Sequence, residues 1–340
     1  MKKSNFAAFV SGLLVGLLLE LAAGFSLPRG FSSIVLLVGL LSIFFTEFAS
    51  LELHGSQVKR FFAEAKDFFL FSILVIALTS LLATNILRLS LAAGLVLGTL
   101  LIGWTSTVGK PGRAFALLLP FLIVDVVQTT SLSNPAILFG RLAGGFGAGF
   151  IMGLVFLRLL HNQRHKVRQK SFFDEPIVLL GVALLAFSLA FAMQGNGFVA
   201  VATFSAFFCI ANPLHNSVLK RFENTFTRPL TIFCLFVSGI ALAKPALKLT
   251  SGFFTLSAFV LFAGVLLARL LALASQKKPL QGRQRAFELL LPLPAFNIII
   301  ALTLLLSNSY AFAEREIVVS LAAMVFLLFA IASAIFKIEK

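Results

Sequence analysis

The sequence predicts an all-α, polytopic membrane protein of about twelve transmembrane helices. Composition is the first reason: 59% of the 340 residues are hydrophobic and 12% are charged, where a soluble domain carries about 25% charge. Apolar runs of about twenty residues, enough to cross a bilayer as a helix, recur from end to end. Basic residues fall in the short segments between those runs. No polar block is long enough for a separate soluble domain, so 1–340 reads as one transmembrane domain.

The expected spans are 7–27, 31–50, 67–85, 89–108, 113–131, 135–160, 175–193, 196–213, 229–247, 252–274, 287–307 and 316–337. The first follows Lys2-Lys3 and runs to Leu27, long for a cleaved signal peptide, so it is expected to be retained. The fourth ends in the polar stretch Trp104–Gly112, and the fifth carries Asp125. The sixth has Gly140, Gly144, Gly145, Gly149 and Gly153 at helical spacing. Such a stripe suits close helix packing, with a homodimer face as the minority reading. The tenth carries Arg269, expected to snorkel to the cytoplasmic face. Pro292 and Pro294 lie at the start of the eleventh and are expected to kink or break it.

Twelve spans place both termini on one side. The loops of that side hold 22 of the 28 Lys and Arg residues and the opposite side holds 6. The asymmetry puts both termini in the cytoplasm of an inner-membrane protein. It also explains the net charge of +15 without nucleic acid. Forty Phe against one Trp and one Tyr leave the usual interfacial aromatic belt nearly absent. Cys209 and Cys234, in or beside apolar runs, are expected to be buried free thiols.

Asp125 is the main pointer to function. It lies within the otherwise apolar stretch Ala114–Thr130, where a carboxylate costs about 2.5–3.5 kcal/mol on insertion scales and marks an ion or proton site by default. Interrupted helices in the two halves of a transporter point to a substrate site. The polar end of span four and the prolines of span eleven suggest such breaks, and residues 67–131 and 252–337 have the opposed parity of an inverted repeat.

In order along the chain, several stretches resemble the cation:proton antiporter superfamily, the sodium/proton exchangers. They are Ile43–Glu64, Gly98–Val108, Leu119–Asp125, Gly144–Leu160, Asp174–Phe208 with Gly195–Val201, Phe233–Leu242 and Glu314–Phe329. Asp125 stands where these exchangers carry the acid of an Asn-Asp pair, with Val124 in place of the Asn and Pro120-Phe121 in place of a Glu-Ser pair. Thr105-Ser106 stands for their Thr-Asp, Phe191 for a membrane Glu, and Phe296-Asn297 for an Arg. The resemblance implies crossed, broken fourth and eleventh helices and monovalent cation:proton antiport through a mid-membrane aspartate. Asp125, Thr105, Ser106 and Asn297 are the expected ion or proton ligands, serving sodium or potassium and the proton.

A carrier of another solute on the same scaffold, or a non-transporting membrane subunit, is the alternative. Glu20 and Glu47, near the ends of apolar runs, are lesser candidates. His161 and His165 have the spacing of a helical metal pair, but they stand in the basic run His161–Arg168, expected to be a solvated loop near anionic lipid. With no phosphate loop, zinc spacing or nucleophile motif, neither a cofactor nor an enzyme is expected.

Reporter fusions after Lys66, Lys170 and Lys278 are expected to read cytoplasmic, and fusions near Gly195 and Glu314 external. A periplasmic signal at Lys170 contradicts the twelve-span topology.

Overall fold

A computed structural model describes residues 3–23, 28–51, 57–102, 110–131, 135–164, 175–211, 215–248, 252–274, 295–306 and 314–335. Apart from short turns, all of these are helical. The helices are α1 (Lys3–Ala23), α2 (Arg29–Ala49), α3 (Gln57–Asn85), α4 (Leu91–Leu100), α5 (Lys110–Ser131) and α6 (Pro135–Arg164). Then come α7 (Pro176–Ala192) and α8 (Gly197–Ala211). Helix α9 begins as His215–Phe222, passes through a π turn at Glu223–Thr227 and continues as Arg228–Lys248. The series closes with α10 (Gly252–Ala274), α11 (Ala295–Leu306) and α12 (Arg315–Ile335).

Twelve helices among the described residues match the twelve apolar runs, and the chain is a multi-pass membrane protein. Four helical stretches, Arg29–Ala49, Ala136–Leu159, Asn216–Ala243 and Arg315–Ala332, are each long and apolar enough to span a bilayer alone. Hydropathy marks where a helix meets lipid rather than where it ends, so α3 starts ten residues before the expected 67 and α9 starts at 215 rather than 229. Helix α4 departs the other way, stopping at Leu100 instead of running to 108.

Local chemistry sets several ends. Ser90 caps α4, its Oγ accepting from the Ala93 N–H at 3.2 Å. Glu314 Oε2 in turn accepts from the Ser90 N–H at 3.0 Å and the Ser90 hydroxyl at 2.9 Å. That carboxylate ties the start of α4 to the start of α12. Pro176 opens α7 where a missing N–H costs nothing.

Helix α2 lies in the centre, with Leu36, Leu40, Leu41, Phe44 and Phe45 fully buried, and packs against α5, α7, α8, α9 and α11. Phenylalanine fills the space between helices. Phe45 meets Phe208 at 5.3 Å and Phe222 at 4.7 Å, and Phe156 meets Phe204 edge-on at 5.6 Å. Large apolar side chains such as Leu21, Phe139 and Ile177, each about 70% exposed, cover the outer faces.

Lipid tails are as apolar as Leu, so helices in a bilayer gain little by hydrophobic burial and depend on close contact instead. The glycine stripe of α6 provides it within the chain. A Cβ on Gly145 would collide with the Asn196 carbonyl oxygen, one on Gly149 with the Ala200 carbonyl, and one on Gly153 with the Phe207 ring. Gly12 and Gly239 allow the same approach between α1 and α9.

Arg269 corrects a sequence expectation. It does not snorkel: the side chain is fully buried, with the guanidinium carbon 4.4 Å from the centre of the Phe329 ring. A ring face on the neighbouring α12 offers a cation partner inside the bundle, so the long stem need not reach the surface. Cys209 and Cys234 are buried free thiols whose Sγ atoms donate to the Leu51 carbonyl at 2.8 Å and the Val35 carbonyl at 3.3 Å.

Gly149→Ala is expected to lower the unfolding temperature in detergent, at a cost of about 1–3 kcal/mol from forced separation of α6 and α8. Gly147→Ala, on the same helix with nothing within 4 Å of the new Cβ, leaves it unchanged. Equal behaviour of the two variants in a thermal-shift assay contradicts this packing.

Candidate functional site

Asp125 is fully buried on α5, six residues before the end of that helix at Ser131. It therefore stands in the last two turns of α5 rather than at its middle. What meets it there comes from α6 and from the turn between α7 and α8.

That turn is built around two glycines. Helix α7 ends at Ala192, Gln194 takes a left-handed conformation (φ 56°), and the Gly195 N–H bonds the Ala190 carbonyl at 2.7 Å. Gly195 lies against Gly144 and Gly145 of α6, with no room for a side chain on either surface. The next residue, Asn196, is pinned at three points. Its N–H donates to the Arg141 carbonyl at 2.8 Å. Its Oδ1 accepts from the Phe198 and Val199 N–H groups at 2.9 and 3.1 Å, capping α8. With the carbonyl so committed, the amide nitrogen must face away, and Nδ2 donates to Asp125 Oδ2 at 2.5 Å.

Arg141, in the second turn of α6, supplies the charge partner. Its NH1 nitrogen lies 2.9 Å from Asp125 Oδ1, and the same nitrogen donates to Gln128 Oε1 at 3.0 Å. The Asp125 carboxylate is fully buried, whereas the Arg141 side chain is 24% exposed. One carboxylate thus joins α5, α6 and α8. Two charges leaving water cost several kcal/mol per ion, offset here by short contacts on both carboxylate oxygens.

Aromatic rings close in beside this cluster. Phe121, one turn before Asp125, stacks on Phe198 at 3.8 Å, and Phe198 also meets Phe44 at 4.9 Å and Phe187 at 5.3 Å. Phenylalanine offers no oxygen to a cation, so these rings add no ligand at this level.

Asn297 is engaged at the end of α4. Its Nδ2 donates to the Leu100 carbonyl at 2.8 Å and the Ile102 carbonyl at 3.0 Å, closing two backbone acceptors left at the end of α4. Helix α4 has ten residues, about 15 Å at the α-helical rise, half a bilayer. Helices α4 and α11 meet through Asn297. Thr105 and Ser106, together with Pro292, Pro294 and His165, lie outside the described residues. Glu20 on α1 and Glu47 on α2 are half-buried.

The residues that hold Asp125 were legible only in part. Asn196, between two glycines at the head of an apolar run, has the pattern of a helix cap. Arg141 reads as a topological charge near a span end, but an Arg just inside one apolar run and an Asp inside another are mutual candidates, because intramembrane charges pair with one another.

No family model and no curated protein sequence matches the chain. Among solved structures, that of the sodium proton antiporter MjNhaP1 from Methanocaldococcus jannaschii at pH 8 matches with a TM-score of 0.67 at 16% identity, covering 97% of this chain and 90% of that one. A second structure of that antiporter, from an electron-microscopy map, gives a TM-score of 0.60 at 14% identity over 96% and 88%. The fold is that of a cation:proton antiporter.

Asn196→Leu strips Asp125 of a donor and α8 of its cap, and is expected to cost about 2–4 kcal/mol. Asn196→Asp, which sets a second carboxylate against the first, is expected to cost more. Thermal unfolding of the purified variants checks the order, and a wild-type unfolding temperature for either contradicts the site as described.

Proposed function

We propose that this protein exchanges a monovalent cation for protons across the cytoplasmic membrane, with Asp125 as the group that cation and proton occupy in turn. The observation that carries the reading is a fully buried carboxylate at a three-helix junction, in a chain with an antiporter fold along almost its whole length. Exchange needs one site that either ion can fill but not both at once, and one carboxylate supplies it. Sodium and potassium are hard cations that take oxygen ligands. Asp125 and Gln128 provide them, with Thr105 and Ser106 as further candidates.

On this reading the protein is a transporter rather than an enzyme, with both termini cytoplasmic. Residues 67–131 and 252–337 are its two inverted repeats, and Asn297 of α11 bonds the end of α4.

A second reading is favoured by the Phe121–Phe198 stack and by the guanidinium on Asp125. Together they restrict the room and charge left for an ion, which suits a carrier of another solute or a non-transporting membrane subunit.

Proteoliposomes given pulses of sodium, lithium or potassium separate the readings. Cation-driven pH changes are expected from the wild type and are lost in Asp125→Asn, while expression and folding persist. Equal pH changes from both proteins remove Asp125 from the mechanism. No response to any cation from folded wild type favours the second reading.

A further inference from the structure

The π turn of α9 also shapes the outer side of the bundle. Pro229 follows it closely. Proline has no N–H to give and its ring crowds the carbonyl a turn behind, so the helix widens just before it. Across the widened turn the Arg228 N–H reaches the Glu223 carbonyl, and Arg228 Nε donates to Glu223 Oε1 at 3.0 Å. The guanidinium is thereby held by one edge, with its side chain 53% exposed. Among the described residues, nothing bonds its terminal nitrogens or the exposed Asn224 carboxamide.

Those free donors stand at the end of an apolar groove of about 610 Å³ between α1 and α9. Ala8 and Ser11 form the α1 wall, and Ile232, Phe233 and Phe236 the α9 wall. The Ser11 hydroxyl turns back to the Ala8 carbonyl at 3.0 Å, so the α1 wall presents carbon. Ile232 and Phe233 are partly exposed, and Arg228 and Asn224 line the same groove. From Arg228 to Phe236 is about 12 Å at the α-helical rise, within the roughly 15 Å hydrocarbon depth of one leaflet. In the topology proposed above, the polar end meets the cytoplasmic surface. With Arg221 on Glu175 and Arg228 on Glu223, Lys3 and Lys220 make that end net positive.

We propose that this groove binds one anionic phospholipid of the cytoplasmic leaflet, with its phosphate on Arg228 and Asn224 and an acyl chain along Phe233 and Phe236. A guanidinium offers paired donors to phosphate oxygens, and Glu223 fixes its plane while leaving the other edge for the lipid. The surplus basic charge favours an anionic headgroup over a zwitterionic one. Lipid held there staples the start of α1 to the π turn of α9, whose Thr227 meets Thr46 of α2.

The test uses full-length protein, delipidated in detergent and titrated with phosphatidylglycerol, with phosphatidylcholine of the same chains, or with inorganic phosphate, and reads thermal unfolding. Phosphatidylglycerol is expected to stabilise at a lower mole fraction than phosphatidylcholine, and inorganic phosphate not at all. Arg228→Gln raises the phosphatidylglycerol needed at least about fivefold, the factor one basic residue contributes at an anionic surface. Arg228→Lys recovers part of that loss. Ser11→Phe fills the groove with every charge kept and abolishes the preference. Lys220→Gln, whose charge lies outside the groove, costs less than Arg228→Gln.

Equal losses in Arg228→Gln and Lys220→Gln reduce the effect to surface charge and overturn the inference. An undiminished preference in Ser11→Phe overturns it too, and decides the matter if Arg228→Gln does not fold. Stabilisation by inorganic phosphate as strong as by phosphatidylglycerol makes this an anion site without lipid. A changed oligomeric state in Ser11→Phe, with no lipid preference in the wild type, makes it a contact between copies. Either result overturns the inference. Binding is read without transport, so its failure leaves the antiport reading standing, and failure of antiport leaves the lipid site standing.

Discussion

A carboxylate that is fully shielded from water must be answered by the protein, and the arrangement of α5, α6 and α8 follows from how Asp125 is answered. Left alone it would be too costly to keep ionised at this depth. The chain supplies a guanidinium from α6 and a carboxamide from the head of α8. Neither donor reaches unless α6 and the α7–α8 turn touch, and they touch only because Gly144, Gly145 and Gly195 carry no side chains. The glycine stripe, the tight turn and the buried charge are parts of one requirement.

Elsewhere the bundle is held by shape. Phenylalanine is the main filler, and ring-to-ring contacts at 4.7 to 6.0 Å link α2, α6, α8 and α9. Ser and Thr hydroxyls mostly return to their own helix, as Thr79 does to the Val75 carbonyl and Ser205 to the Val201 carbonyl. An exception crosses from α2 to the π turn of α9, where Thr46 and Thr227 hydroxyls meet at 2.7 Å. A π turn widens the helix and re-aims one side chain, and here it turns Thr227 toward α2.

The antiporter architecture is present with an altered polar centre. Val124 stands where the resemblance places Asn beside the acid, yet a carboxamide still reaches Asp125, brought by Asn196 from another helix. Phe121 occupies a position the resemblance gives to a polar side chain, and it stacks on Phe198. Asn297, expected among the ion ligands, bonds the end of α4 through its Nδ2. Rings fill much of the space around the charged junction of Asp125 and Arg141.

The sequence by itself determined the solvent, the number of helices and the buried acid that the packing must answer. Those are properties of composition, of run length against bilayer thickness, and of one acid in an apolar run, and each is local along the chain. It also supported a resemblance whose fold the structure bears out, because ordered short motifs track helix order even where identity is low. Helix ends were less legible: the start of α3 at Gln57 and of α9 at His215 lie outside the apolar runs that hydropathy detects. Only the tertiary structure decided which groups face Asp125. Asn196 is 71 residues away in sequence and 2.5 Å away in space, and no periodicity encodes that pairing. Tertiary packing likewise set Arg269 over a ring instead of at the surface, and used the α6 glycines against α8 within one chain. Local pattern states what a residue needs; the packing of distant helices decides who provides it.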